Sequence, residues 1–297
     1  MGKEGNGMNF IKGEAIRKHP QLKQSFFQLA NKTFGLNFEQ WDALGYWDES
    51  YCPYAFEENG EIVANVSTSS GTIILNGTHY QAVQIGTVMT NPAYQGKGLS
   101  RKLMENVLLD VTPADIVYLF ANSTVLDFYP KFGFETRQQA TFSLATTDLT
   151  LQPTEVKKLN IDDANERALL YEMVSQRMPI SETMSMIHNE AIVMFHALVN
   201  YQDCIYFMPK FQSIVIAKES ENRLQIIDVI SKSKVDLLEV VQSFPIHAQT
   251  IELCFTPDTL SIPVIQGILP DEGAMFVKTK DHVHYPDNVL YPFSGLA

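Results

Sequence analysis

The chain has 297 residues, 45% hydrophobic and 19% charged, which excludes wholesale disorder and, at roughly 100–200 residues per domain, suggests two domains. Its 22 Lys and Arg against 34 Asp and Glu leave a formal charge of −12, which argues against a nucleic-acid partner, because neutralising phosphates needs clustered basic side chains. Three widely spaced cysteines (Cys52, Cys204, Cys254) point to neither a disulfide framework nor a CxxC metal site, and a cytoplasmic setting is expected.

In chain order, the N-terminal MGKEGNGMNF lacks the apolar stretch of a signal peptide and carries Asn6 where myristoylation wants Ser or Thr. No run of about 18 apolar residues follows, so no membrane partner is expected. Pro20 suits a helix first turn; Phe26, Phe27, Leu29, Ala30 and Phe34 fall at helical spacing, and Gly35 stops the helix. Asn37 can cap a second short helix through Trp41 and Leu44. Strands over 54–57, 61–75 and 80–90 are separated by the turn dipeptides Asn59-Gly60 and Asn76-Gly77. A glycine-containing loop then enters an amphipathic helix with Leu99, Leu103, Met104, Val107 and Leu108 on one side. A strand over 116–121, a short helix over 123–129 and a strand over 134–144 complete the first half.

A polar stretch at 146–158, containing Pro153, is the linker candidate, giving domains 1–148 and 149–297. Beyond it the order repeats: two helices from about Asp162 and Ser181, strands over 204–208, 213–218 and 223–231, a helix over 235–244, and strands over 250–255 and 274–278. The second copy lacks the glycine loop, so one working site is expected. Residues 1–150 hold 11 basic and 15 acidic side chains, a net of −4; residues 151–297 hold 11 and 19, a net of −8. The acidic second half is where a cationic partner would be drawn.

The informative segment follows the strand that ends Val88-Met89-Thr90. Pro92 stops the strand, and Gly96 and Gly98 let backbone amides converge at a helix start, a geometry suited to a pyrophosphate. Lys97, Arg101 and Lys102 add positive charge there. Gln95-Gly96-Lys97-Gly98-Leu99-Ser100 resembles the acetyl-CoA loop [Q/R]-x-x-G-x-[G/A] of the GNAT N-acetyltransferase family, with Ser100 where Gly or Ala is usual. The family's second signature is similar to the stretch from Asn122 to Phe128-Tyr129-Pro130-Lys131-Phe132-Gly133-Phe134. The resemblance covers roughly residues 10–145.

That resemblance implies an α/β fold: a GNAT-type mixed, largely antiparallel sheet flanked by helices, followed by a degenerate GNAT-like second α/β domain. It implies acetyl-CoA as co-substrate, with no metal. Val88, Met89 and Thr90 would meet the pantetheine arm and acetyl carbonyl; Gly96, Lys97, Gly98, Leu99, Ser100 and Arg101, with Gln95, would hold the pyrophosphate. Asn122 would contact the cofactor, and Tyr129 would protonate the departing thiolate. The implied reaction is acetyl transfer to a primary amine by direct attack in a ternary complex, the acceptor being a small-molecule or peptide amine of cationic character. The alternatives are an acyl-CoA-binding sensor or scaffold without turnover, and a transferase of another acyl group. Many members carry a strand Glu as base; this chain has Gln84 and Val117 there, so deprotonation is left to water, to Glu57 or Glu58, or to the second domain.

A narrower resemblance is to the enhanced-intracellular-survival acetyltransferases, which join a GNAT domain to a degenerate one and use a chain-terminal carboxylate as base. On that pattern the stretch 291–297 would reach back to the site. The second domain is expected to wall the acceptor site and to offer a homo-oligomer interface. His282 and His284 lack the partners a metal site needs.

Overall fold

The computed structural model describes residues 7–270 and 274–297. It opens with strand β1 (Asn9–Lys12) and helices α1 (Glu14–Arg17), α2 (Pro20–Phe34) and α3 (Glu39–Ala43). Pro20 occupies the first turn of α2, where its missing N–H leaves no broken bond, and Gly35 closes the helix in the left-handed region. Strands β2 (Tyr51–Glu58), β3 (Glu61–Leu75) and β4 (Thr78–Thr90) form the predicted antiparallel meander. Helix α4 (Leu99–Asp110) carries β4 over to β5 (Ile116–Ala121), which pairs with β4 in parallel.

The helix predicted over 123–129 is absent. Asn122 Oδ1 instead accepts from the Thr124 amide (3.0 Å), closing a local turn that competes with helix. The helical turn begins later, as a 3₁₀ turn at Tyr129–Phe132 with Pro130 near its start. The single strand predicted over 134–144 is two: β6 (Glu135–Arg137) and β7 (Ala140–Ala145).

The second half runs β8 (Lys157–Lys158), α5 (Ala164–Ser175), β9 (Met184–Ile187), α6 (Glu190–Val199), β10 (Ile205–Met208), β11 (Ser213–Ser220), β12 (Arg223–Ser231), α7 (Leu237–Ser243), β13 (Thr250–Leu253), β14 (Ile265–Ile268) and β15 (Ala274–Thr279). The helix expected from Ser181 begins only at Glu190. The intervening β9 pairs with the end of β3 at Thr72–Leu75, a stretch β2 does not reach, and so buries all four of its side chains.

Repetition of the order is real in the sheets. The β10-β11-β12 meander with β13 parallel to β12 repeats the β2-β3-β4 meander with β5 parallel to β4. The two sheets, however, exchange strands. One is ordered β1-β2-β3-β4-β5-β15-β6 with β9 also on β3, the other β14-β7-β13-β12-β11-β10-β8. β15 enters the first sheet between β5 and β6, while β7 pairs with β13 in the second. A cut at 148/149 therefore separates the sequence but not the sheets. One core also spans both halves: Phe26, Phe38, Trp41 and Trp47 pack with Phe195 of α6, and Trp41 Nε1 donates to the Ala191 carbonyl (2.8 Å).

The final segment is threaded between the sheets. In the second sheet, β12 and β13 pair only as far as Ile226 and Leu253. Past that point the Phe293 amide donates to Cys254 O (3.0 Å), and Ser294 Oγ donates to Asp228 (2.6 Å), so the tail occupies the opening. Asp228 in turn accepts two bonds from the buried Arg177 guanidinium (2.6 and 2.8 Å). Farther along, Tyr291 Oη meets Tyr118 Oη (2.6 Å) and the Gly295 carbonyl (3.1 Å). Removing one member of a buried ion pair strands the other, so Asp228→Ala is expected to cost about 3–5 kcal/mol in urea unfolding. Replacing both partners, as Arg177→Met with Asp228→Leu, should cost less than the single change.

Candidate active site

The site begins where two strands stop pairing. β4 and β5 run in parallel register from Ala82 with Ile116 to Ile85 with Leu119, and then part. On its other side β4 carries a bulge: Asn65 faces Met89 while Ser67 faces Gly86, so the pair Thr87 and Val88 stands opposite Val66. Thr87 adopts φ 43°, a strained position for a β-branched residue. Two bonds hold it: Asn65 Nδ2 donates to the Thr87 carbonyl (3.0 Å), and Thr87 Oγ1 meets the Tyr51 hydroxyl (2.7 Å). The parted strands open into a cavity of about 830 Å³.

One arm of the cavity is the glycine loop. Asn91 caps the 3₁₀ turn Pro92–Tyr94, and Gly96 (φ 75°) and Gly98 (φ 74°) turn the chain in the left-handed region into α4. Gly98 supplies no side-chain cap, no acid stands in the first turn, and the Lys102 amide is the one that bonds back to Gly98 O. The amides of Leu99, Ser100 and Arg101 precede it and have no intrahelical acceptor, which with the helix dipole favours an anion. Ser100, the departure from the family pattern, has its hydroxyl tied to Thr90 Oγ1 (2.8 Å) and so fastens the helix to the strand end.

Most of the predicted cofactor residues come together here. Val88, Thr90, Gln95, Gly96, Gly98, Leu99, Ser100, Arg101 and Asn122 line the cavity. Met89 and Lys97 do not. Strand alternation turns Met89 into the core (2% exposed), and Lys97 lies over the Tyr94 ring, 4.3 Å from its centroid. Asn122 both lines the cavity and caps its own turn.

Tyr129 closes the inner wall, packed against Phe128, Phe134 and Phe276. Burial pushes its phenol up to about 12, so it keeps its proton at any ordinary pH.

The strand position where a base was sought holds Gln84, 1% exposed. Its amide clamps the tail: oriented to satisfy both neighbours, the nitrogen donates to Gly295 O (2.9 Å) and the oxygen accepts from the Ala297 amide (2.7 Å). Gly86 lets the tail approach, since a Cβ there would come 3.0 Å from the Ala297 oxygen. Leu296 and Ala297 thus lie on the cavity wall. Glu57 and Glu58 do not: Glu57 is bound by the Gly60 amide (2.6 Å) and Asn9 (2.9 Å), and Glu58 by the Tyr94 hydroxyl (2.5 Å). Val117 is core.

Sequence reasoning missed His196, on α6 of the second half, and the apolar residues Phe34, Leu36 and Phe120, all lining the cavity. Phe34 was expected inward with its helix neighbours; it is 45% exposed, at the cavity edge beside Gly35. The His196 ring nitrogens meet Leu296 O and Asn200 Nδ2. A carbonyl only accepts, so Nε2 carries the proton, and burial holds the ring below its usual range and neutral. His282 lies 3.3 Å from Asp115, and no cluster of three or more His, Cys, Asp or Glu that could hold a metal occurs among the described residues.

Residues 19–137 match the acetyltransferase (GNAT) domain family. Over 53 residues the chain is 43% identical to GCN5-related N-acetyltransferase 2, chloroplastic, of Arabidopsis thaliana, covering 17% of this chain and 20% of that protein. It thus spans a fifth of that relative's length. In fold it is similar to Eis1 of Mycobacterium abscessus (TM-score 0.60, 14% identity, 92% of this chain and 73% of that one). A GCN5-related N-acetyltransferase of Kribbella flavida is comparable (TM-score 0.56, 17% identity, 92% and 71%). The match to the GNAT acetyltransferase domain thus lies in the first half, and the fold over 92% of the chain is similar to that of these two proteins.

Valine at position 98 would sit at φ 74°, a conformation costing an L-residue about 1–2 kcal/mol. Gly98→Val is therefore expected to lower Tm by a few degrees in thermal unfolding.

Proposed function

We propose that this chain, built on a GNAT acetyltransferase domain, transfers the acetyl group of acetyl-CoA to a primary amine by direct attack. The observation that carries the reading is one cavity running from the free amides at the start of α4, through the gap between β4 and β5, to the buried phenol of Tyr129. The loop amides and Arg101 take the pyrophosphate, and the unpaired edge of β4 beyond Gly86 takes the pantetheine. The amine lone pair attacks the thioester carbonyl carbon, the C–S bond breaks, and Tyr129 gives its proton to the leaving thiolate. Backbone N–H groups at the bulge are suited to the developing oxyanion. No covalent intermediate on the protein is required.

Tyr129 is then restored by the proton the amine gives up. No Asp or Glu side chain among the described residues lines the cavity, and His196 has its Nε2 proton committed to the tail. Water therefore carries that proton or, where the polypeptide ends at Ala297, the α-carboxylate there does.

Two measurements check the mechanism. Tyr129→Phe should lower kcat about 10²–10⁴-fold, the usual contribution of a positioned acid, and leave acetyl-CoA affinity within about threefold. For the pH dependence, Tyr129 donates while protonated, and its pKa of about 12 keeps it so through pH 10. The wild-type rate is thus expected to rise with pH as the free amine fraction grows, and to show no alkaline fall below pH 10. No turnover of any amine despite coenzyme binding would favour a sensor instead.

A further inference from the structure

We infer that the acceptor is a primary amine carried on an apolar, ring-bearing body, not a polycation; this rests on the acetyl-transfer reading and specifies its substrate class. Beyond the coenzyme residues the cavity continues into a second part. Its wall is Phe34 and Leu36 from the end of α2, Phe120 from the end of β5, and Leu296 and Ala297 from the tail, with His196 behind. Phe34 is 45% exposed at the edge, an apolar ring with no partner covering it. Phe120 is half-buried and fixed from behind by the Tyr118 and Tyr291 rings, whose centroids lie 6.3 and 5.3 Å away. A ring entering between Phe34 and Phe120 would meet aromatic surface at both ends.

The polar side chains on the same wall are already committed. Thr87 Oγ1 is bonded to Tyr51, and His196 to Leu296 and Asn200. These side chains therefore offer little to the hydroxyls of a sugar, which would be desolvated without a partner.

Charge points the same way. Among the described residues Arg101 is the one charged side chain lining the cavity, and it is positive, as is the start of α4. Among the described residues, the second half, whose net charge is −8, reaches the cavity through His196, Leu296 and Ala297. None of its described acidic side chains lines the cavity.

Steady-state acetylation of 2-phenylethylamine and of spermidine, at one pH and saturating acetyl-CoA, tests the inference on the full chain. The wild type should show kcat/KM for 2-phenylethylamine about tenfold or more above spermidine, as expected for burial of one ring. Phe34→Asp, at an exposed position, should bring the two within about threefold of each other and leave the KM for acetyl-CoA unchanged. Spermidine equal to or better than 2-phenylethylamine in the wild type, or an unchanged ratio in Phe34→Asp, overturns the substrate class while leaving acetyl transfer standing. Acetylation of neither amine by protein that binds acetyl-CoA overturns both.

Discussion

The parting of β4 and β5 after Ile85 and Leu119 is the constraint on which the rest depends. A continuous parallel ladder would put backbone where the cavity is. The bulge at Thr87 bends one strand away, and its positive φ is held by Asn65 and Tyr51. Because β4 leads directly into the glycine loop, the same divergence aims the start of α4 at the opening. Ser100, bonded to Thr90, keeps that helix end in place. Strain, gap and anion site are one local construction.

The second half repeats the divergence and puts it to another use. β12 carries its own irregularity against β11, between Ile216 and Ala217, and parts from β13 after Ile226. Without a glycine loop the gap offers no anion site. Arg177, Asp228 and the 3₁₀ turn at Phe293–Gly295 fill it. The filled slot holds the tail at the height where Gln84 and Gly86 receive it in the first unit. Exchange of β7 and β15 between the sheets binds the halves further, so the second unit shapes the first.

Local signals were legible in the sequence. The Asn-Gly turns fixed the β2-β3-β4 meander, because positive φ at those positions is a property of the dipeptide itself. The loop was legible for the same reason: strand end, proline, two glycines and helix start are adjacent in the chain. What escaped was assembled from afar. Nothing within residues 134–144 announces that the stretch divides at Gln138 and Gln139 between two sheets, since the partners lie in β13 and β15. The apolar MSMI of β9 suits a buried strand or helix equally, and the free end of β3 decides. One wall of the cavity draws on residues 34, 120, 196 and 296, and no spacing rule joins them. Gln84 was legible only as a missing carboxylate; its role as a clamp on the tail needed the fold.

A crystal structure with coenzyme A bound tests the central claim most directly. The pyrophosphate oxygens are expected at hydrogen-bond distance, about 2.7–3.2 Å, from the amides that open α4. The pantetheine is expected along β4 past Gly86, and the sulfur beside the Tyr129 hydroxyl. Coenzyme bound elsewhere, or a sulfur facing away from Tyr129 with the β4–β5 gap closed, would contradict the claim.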